Sequence, residues 1–272
     1  MKKSQIILVV VVFVAAAALY SLPRVVVDNA DDGEALEQED MASADSVAQA
    51  HSTSIPDSER GTVSTLITNL EKAESKEKIT IFADSIASFY VSSGMYDSAA
   101  YYLGQSADRY PDMESLEKAG NAFYEAFGFA MDEDKVAHLA GQTRDYLNRV
   151  LEKQPDRLDL KTKVAMTHVS STNPMQGIMM LREVLEEDPQ NEQALFNMGI
   201  LSMQSGQYKR AVERFEELIG YHPENIQGQF YLGVSYFEAK QKNKAKKQLQ
   251  LVKDMTDDPM IISSVDNYLG QL

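Results

Sequence analysis

Pro155, Pro189 and Pro223 stand 34 residues apart, and the same offset relates Gly199 to Gly233 and Ala211 to Ala245. Residues Ala194 to Ile200 superpose on Gly228 to Val234 at that spacing. Self-similarity at such a period marks a stack of like supersecondary units. A unit of this size cannot bury its apolar face alone, so neighbours must stack to build a continuous core. Counting from residues 158, 192 and 226, positions 8 and 20 carry small residues, where two helices approach closely. Large residues at positions 4, 7, 11 and 24, with Ser202 the exception, fill the space between those helices and toward the next unit. Proline cannot continue a helix, so each falls in the turn between units.

This pattern resembles the tetratricopeptide repeat family, in its membrane-anchored bacterial form. Residues 192–225 carry it most fully, through Leu195, Met198-Gly199, Gly206, Tyr208, Ala211, Phe215 and Pro223, with Ser202 where an aromatic is usual. Residues 226–259 supply Leu232-Gly233, Tyr236, Ala245 and Leu249, with Asp257 in place of the proline. Residues 158–191 supply Val164-Ala165, Gly177, Leu181 and Pro189, with His168 in the aromatic slot. Residues 80–113 supply Ile86-Ala87, Tyr90, Gly94, Tyr96, Ala99, Leu103 and Pro111. From Pro111 to Pro155 the gap is 44 residues, and Leu116, Ala119-Gly120 and Phe123 mark a longer unit over 114–157 whose first helix is expected to run to Met131. The resemblance implies an all-α fold, a helical-repeat solenoid of helix–turn–helix units.

Two flanking helices are expected. Val63, Leu66, Ile67 and Leu70 share one helical face and predict a packing helix over 62–75, capped by Thr62 or Ser64. Ile261, Ile262, Val265 and Leu269 predict a closing helix over 260–271. The repeat domain therefore spans 61–272.

Residues 1–27 read as a membrane segment. The apolar run Ile6–Leu22 has 17 residues, about 25 Å of helix and at the short end for a bilayer core. A cleaved secretory signal ending near Ala15-Ala16-Ala17 is one reading. A retained signal anchor is the other, favoured because the apolar run continues through Ala18, Leu19 and Tyr20. Lys2 and Lys3 precede the run, so the positive-inside rule puts the N-terminus in the cytoplasm. Both readings export the remainder. The expectation is a single-pass inner (plasma) membrane protein with a periplasmic repeat domain. Residues 28–60 hold ten acids and one base and no sustained apolar period, which reads as an acidic disordered linker.

That segment accounts for −9 of the chain's net charge of −15, a balance that argues against nucleic-acid binding. No cysteine is present, which excludes disulfides, thiolate metal sites and a Cys nucleophile. There is no glycine-rich phosphate loop, no His-Glu-x-x-His and no Gly-x-Ser-x-Gly elbow. The sequence therefore reads as non-enzymatic, with no metal and no cofactor.

In the family, helix A of each unit lines the concave groove. The resemblance carries this onto Met166 and Val169, then Phe196, Ile200 and Met203, then Phe230, Val234 and Phe237. The stripe is apolar and C-terminal; the unit over 80–113 places Asp84, Ser88 and Val91 at the same positions. Ordinary packing between repeats is the competing reading. Of the polar set with which some family members hold a C-terminal carboxylate, only Lys163 and Asn197 are candidates, too few to imply that mode. Lys240, Lys242, Lys244, Lys246, Lys247 and Lys253 read as a solvated convex face, and Tyr101, Tyr102, Tyr110 and Tyr124 as core. The expected partner is a protein or peptide segment held by a tethered scaffold or chaperone-like assembly factor. The alternative is a self-assembling module, a homo-oligomer organising a membrane complex.

Overall fold

The computed structural model describes residues 55–272, and the anchor over 1–27 and most of the linker lie outside them. Among the described residues there are twelve helices and no strand. They are α1 (Asp57–Lys72), α2 (Lys76–Ser92), α3 (Tyr96–Arg109), α4 (Met113–Phe129), α5 (Glu133–Leu151) and α6 (Leu158–Val169). After them come α7 (Pro174–Glu187), α8 (Glu192–Gln204), α9 (Tyr208–Tyr221), α10 (Ile226–Glu238), α11 (Lys242–Met255) and α12 (Pro259–Gly270). Each packs on its sequence neighbour, and α6, α8, α10 and α12 also touch one another in a row. That is the arrangement of a helical-repeat solenoid.

The repeat chemistry explains the packing. Ala165, Ala211 and Ala245 are fully buried where helices of one unit meet. A Cβ on Gly177 would run into the main-chain carbonyl of Ala165 and lie 2.8 Å from the Val169 nitrogen. No side-chain movement relieves that, so only glycine lets α6 and α7 come this close. Leu181, Leu195, Phe215, Leu218, Leu232 and Leu249 are fully buried, each worth about 1.5–3 kcal/mol of transfer energy. Pro155, Pro189 and Pro223 all fall in turns between helices.

Caps set several helix starts. Asn191 accepts from the Ala194 N–H at 3.0 Å and Asn225 from the Gly228 N–H at 2.6 Å. Asp112 and Asp132 do the same for Ser115 and Lys135, each at 2.9 Å. Each satisfies one of the amides orphaned at a helix start.

The structure moves several boundaries. The first helix begins at Asp57 rather than 62, and neither Thr62 nor Ser64 caps it. Asp57 and Glu59 sit in its first turn, where the helix dipole favours acids, so part of the acidic stretch is helix. The helix expected from 80 begins at Lys76, where Ser75 accepts from the Lys78 N–H. In the long unit α4 stops at Phe129 rather than Met131, and Asp132 starts α5. The extra residues lengthen both helices, to 17 and 19 residues against 13 and 14 in α8 and α9. Tyr101 is 56% exposed and Tyr110 is at the surface, donating to the Glu74 carbonyl at 2.7 Å, so these two are not core.

One position breaks the pattern from inside. Gln229 is buried where the preceding unit places Leu195. Its amide donates to the Pro223 carbonyl at 2.7 Å and its oxygen accepts from Gln248. Satisfied in this way, the polar group is tolerated in the core.

Candidate functional site

The apolar stripe is largely built into the solenoid. Val234 is buried at 4% exposure and lines nothing open, because its helix is packed on both flanks. Val169 lies against Gly177 of α7. Met166 packs on the cluster of Ala165, Leu181, Val184 and Met198. Ile200, Met203 and Phe237 pack on the cluster around Phe215 and Leu232, which the C-terminal Leu272 also joins. Of these six only Val234 is buried; Met166, Ile200, Met203 and Phe237 pack on the core clusters, and they and Val169 stay partly exposed.

Phe196 and Phe230 pack on core clusters in the same way and also wall a cleft. Phe196 meets Tyr231 edge to face at 5.6 Å and Phe215 at 6.0 Å, and Tyr231 stacks on Phe215 at 5.9 Å. Phe230 meets Tyr231 at 5.5 Å and Tyr268 of α12 at 6.0 Å. These contacts hold both rings at the wall of a cleft of about 370 Å³ between α8, α10 and α12. Ile226, Met260 and Ile261 complete its apolar lining, and Gln227 and Ser264 supply its polar groups. No charged side chain lines it. Met260 is 80% exposed at the mouth.

The closing helix makes this cleft. Asp258 accepts from the Met260 and Ile261 N–H groups, and Pro259 occupies the first turn, where its missing N–H costs nothing. Lys253 pairs with Asp266 at 2.6 Å and fixes α12 against α11. Burial, with Glu238 and Tyr231 nearby, pushes the Tyr268 hydroxyl above its ordinary value, so it stays neutral. A cleft of this size and polarity suits apolar side chains and offers nothing for acid–base work. Among the described residues no cluster of His, Asp and Glu is placed to hold a metal ion.

Ile226, Tyr231, Met260 and Ile261 are not among the groove positions implied by the resemblance. Tyr231 occupies the same unit position as Lys163 and Asn197, and Ile261 belongs to the expected closing helix. The lysines of the last repeat are partly engaged. Lys242 donates to the Leu272 carbonyl at 3.2 Å, and Lys244 lies 4.9 Å over the Tyr236 ring and 3.7 Å from Glu216.

Comparison with known proteins agrees with the fold. A family model described as tetratricopeptide repeat matches residues 202–261. The crystal structure of TTC0263, a thermophilic TPR protein from Thermus thermophilus, superposes with a TM-score of 0.52 at 12% identity, over 72% of this chain and 99% of that one. The fold is a tetratricopeptide-repeat solenoid. MamA resembles it at 15% identity and a TM-score of 0.46, over 66% of this chain and 92% of its own. YrrB, a TPR protein with an unusual peptide-binding site, does so at 17% identity and 0.44, over 74% and 97%. No curated protein sequence matches the chain. Among the described residues no helix is long and apolar enough to cross a membrane.

Proposed function

We propose that the protein is a non-enzymatic, membrane-tethered interaction scaffold, or chaperone-like assembly factor, whose exported repeat domain holds a segment of a partner protein. The observation that carries this reading is the apolar cleft walled by Phe196 and Phe230, with Met260 exposed at its mouth. An exposed apolar surface with no charge in it is a liability unless something covers it. Association and ordering costs offset much of the burial energy, which puts the affinity at about micromolar. The tether compensates by raising the local concentration of the cleft near other membrane components. Its support is sequence: the run Ile6–Leu22 behind Lys2 and Lys3, then an acidic stretch that keeps the domain off an anionic surface.

The test is co-purification from membranes with the full-length protein and its Phe230→Asp variant. Loss of a specific partner from a variant that melts like the parent supports the reading. An unchanged set of co-purifying proteins contradicts it. Protease accessibility from either side of the membrane tests the topology separately, and a repeat domain protected with the cytoplasm contradicts export.

One observation favours self-assembly as a second reading. Met260 on α12 is an apolar side chain left 80% exposed, a surface that a second copy of the chain could bury. Sedimentation of the full-length protein in detergent distinguishes the two. A dimer dissociated by Met260→Asp favours self-assembly, and a monomer favours capture of a different partner.

A further inference from the structure

A second groove lies away from the apolar cleft, wedged between α7 and α9 across the end of α8. Its volume is about 300 Å³. Ile178, Met198 and Leu201 give it apolar lining, and Arg182, Arg210 and Arg214 line it together with Ser202, Ser205 and Gln207. Glu213 is the one carboxylate in the lining. Three guanidinium groups around one groove are unexpected in a chain of net charge −15 with far more acids than bases.

The use of these arginines differs from that of the others. Arg109 donates to the Leu70 and Ala73 carbonyls, and Arg144 to the Thr167 carbonyl. Arg157 binds Glu117 and Asp159, Arg60 binds Asp57, and Arg149 faces Asp108 and Asp145 at 4.0 and 3.9 Å. Each of these guanidinium groups faces a carboxylate or a main-chain carbonyl. In the groove, Arg214 is partnered by Glu217 at 3.0 Å. Arg210 reaches only the Gln207 side chain, at 2.7 Å, and Arg182 has no hydrogen bond or ion pair among the described residues. Two forks, each with donors spaced to take a carboxylate in bidentate fashion, are left open to solvent on one groove.

We propose that this groove docks an acidic peptide segment of a partner protein, one in which carboxylate side chains flank an apolar residue. The carboxylates meet Arg182 and Arg210, and the apolar side chain lies on Ile178, Met198 and Leu201. Charge complementarity selects an anion, and the apolar lining selects a peptide over a bare ion. The site is independent of the apolar cleft, so it stands or falls separately.

The test is fluorescence anisotropy with the full-length protein in detergent micelles. The probes are a labelled peptide of sequence Glu-Leu-Glu-Glu-Leu-Glu, its Gln-Leu-Gln-Gln-Leu-Gln counterpart, and inorganic phosphate as competitor. The acidic peptide is expected to bind, the glutamine peptide to bind at least tenfold more weakly, and phosphate not to compete beyond its effect as salt. Arg182→Gln and Arg210→Gln each weaken the acidic peptide about fivefold, the scale of one solvent-screened charge pair. Both arginines are on the surface, and an unchanged melting temperature verifies the fold. Equal binding of the two peptides, binding indifferent to both substitutions, or displacement by phosphate beyond an equal ionic strength of chloride would each overturn the proposal.

Discussion

Phe237 and Tyr268 meet edge to face, with ring centroids 5.4 Å apart and planes at 70°. One ring belongs to the expected groove stripe and the other to the helix that closes the solenoid. The pair shows why the stripe is not open along its length: Tyr268 of α12 packs on Phe237 at its end. Such a pair contributes about 0.5–1.5 kcal/mol beyond its area burial. Tyr268→Ala should therefore loosen α12 before anything else. Hydrogen exchange on the full-length protein should show lost protection over 259–270 with α4 and α5 unchanged. Uniform loss, or none, would contradict this.

Gly177 and Gly220 form a contrast. Both are helical, but a Cβ on Gly177 meets the main chain of α6, while nothing lies within 4 Å of one on Gly220. Gly177→Ala should cost about 1–3 kcal/mol, because backbone must move. Gly220→Ala should be neutral or gain up to about 1 kcal/mol from helix propensity. Thermal melting of both variants checks the sign of each.

Arg157 clamps two units together. Its guanidinium lies 2.6 Å from Glu117 of α4 and 2.8 Å from Asp159 at the start of α6. It holds both carboxyls below their ordinary values of 4.5 and 3.8, chiefly by hydrogen bonding. A lowered folded-state pKa contributes stability that is present above the unfolded value and lost as pH falls through the folded one. Arg157→Gln should then destabilise by about 0.5–1 kcal/mol at neutral pH, since the pairs are partly exposed. The difference from the parent should shrink below about pH 4 and vanish at lower pH. A difference constant down to about pH 2 would contradict the linkage.

Lys240 holds a left-handed conformation, φ 62°, at the turn where other units place Gly94 and Gly206 at 69° and 70°. A side chain there costs about 1 kcal/mol, partly offset by its ammonium 5.8 Å over the Phe237 ring. Lys240→Gly should raise the melting temperature by about 2–4 °C. A fall would mean that the cation over the ring outweighs the backbone.

Much of this architecture is legible because small residues at positions 8 and 20 and prolines in the turns carry it locally. Ala211, Phe215 and Pro223 need no tertiary information to be placed. Helix starts are less legible. Asp57 looks like a member of the acidic stretch until the adjoining helix is known, and then it becomes a first-turn residue. The cleft is least legible. Whether Val234 or Phe230 is open depends on how far α12 lies over α10, a matter of angle between helices that no spacing encodes. Val169 shows the same limit: its position in the unit matches Phe237, yet its neighbour is Gly177 of α7 rather than an aromatic ring of the closing helix.

The central claim is that the cleft between α8, α10 and α12 receives a partner. A photo-crosslinking residue at Met260 of the full-length, membrane-bound protein tests it most directly, with Lys247 on α11 as the control site. The expected result is a discrete heterologous adduct at Met260 that is absent at Lys247 and lost in the Phe230→Asp background. The same adducts at both sites, or adducts indifferent to Phe230→Asp, would contradict it.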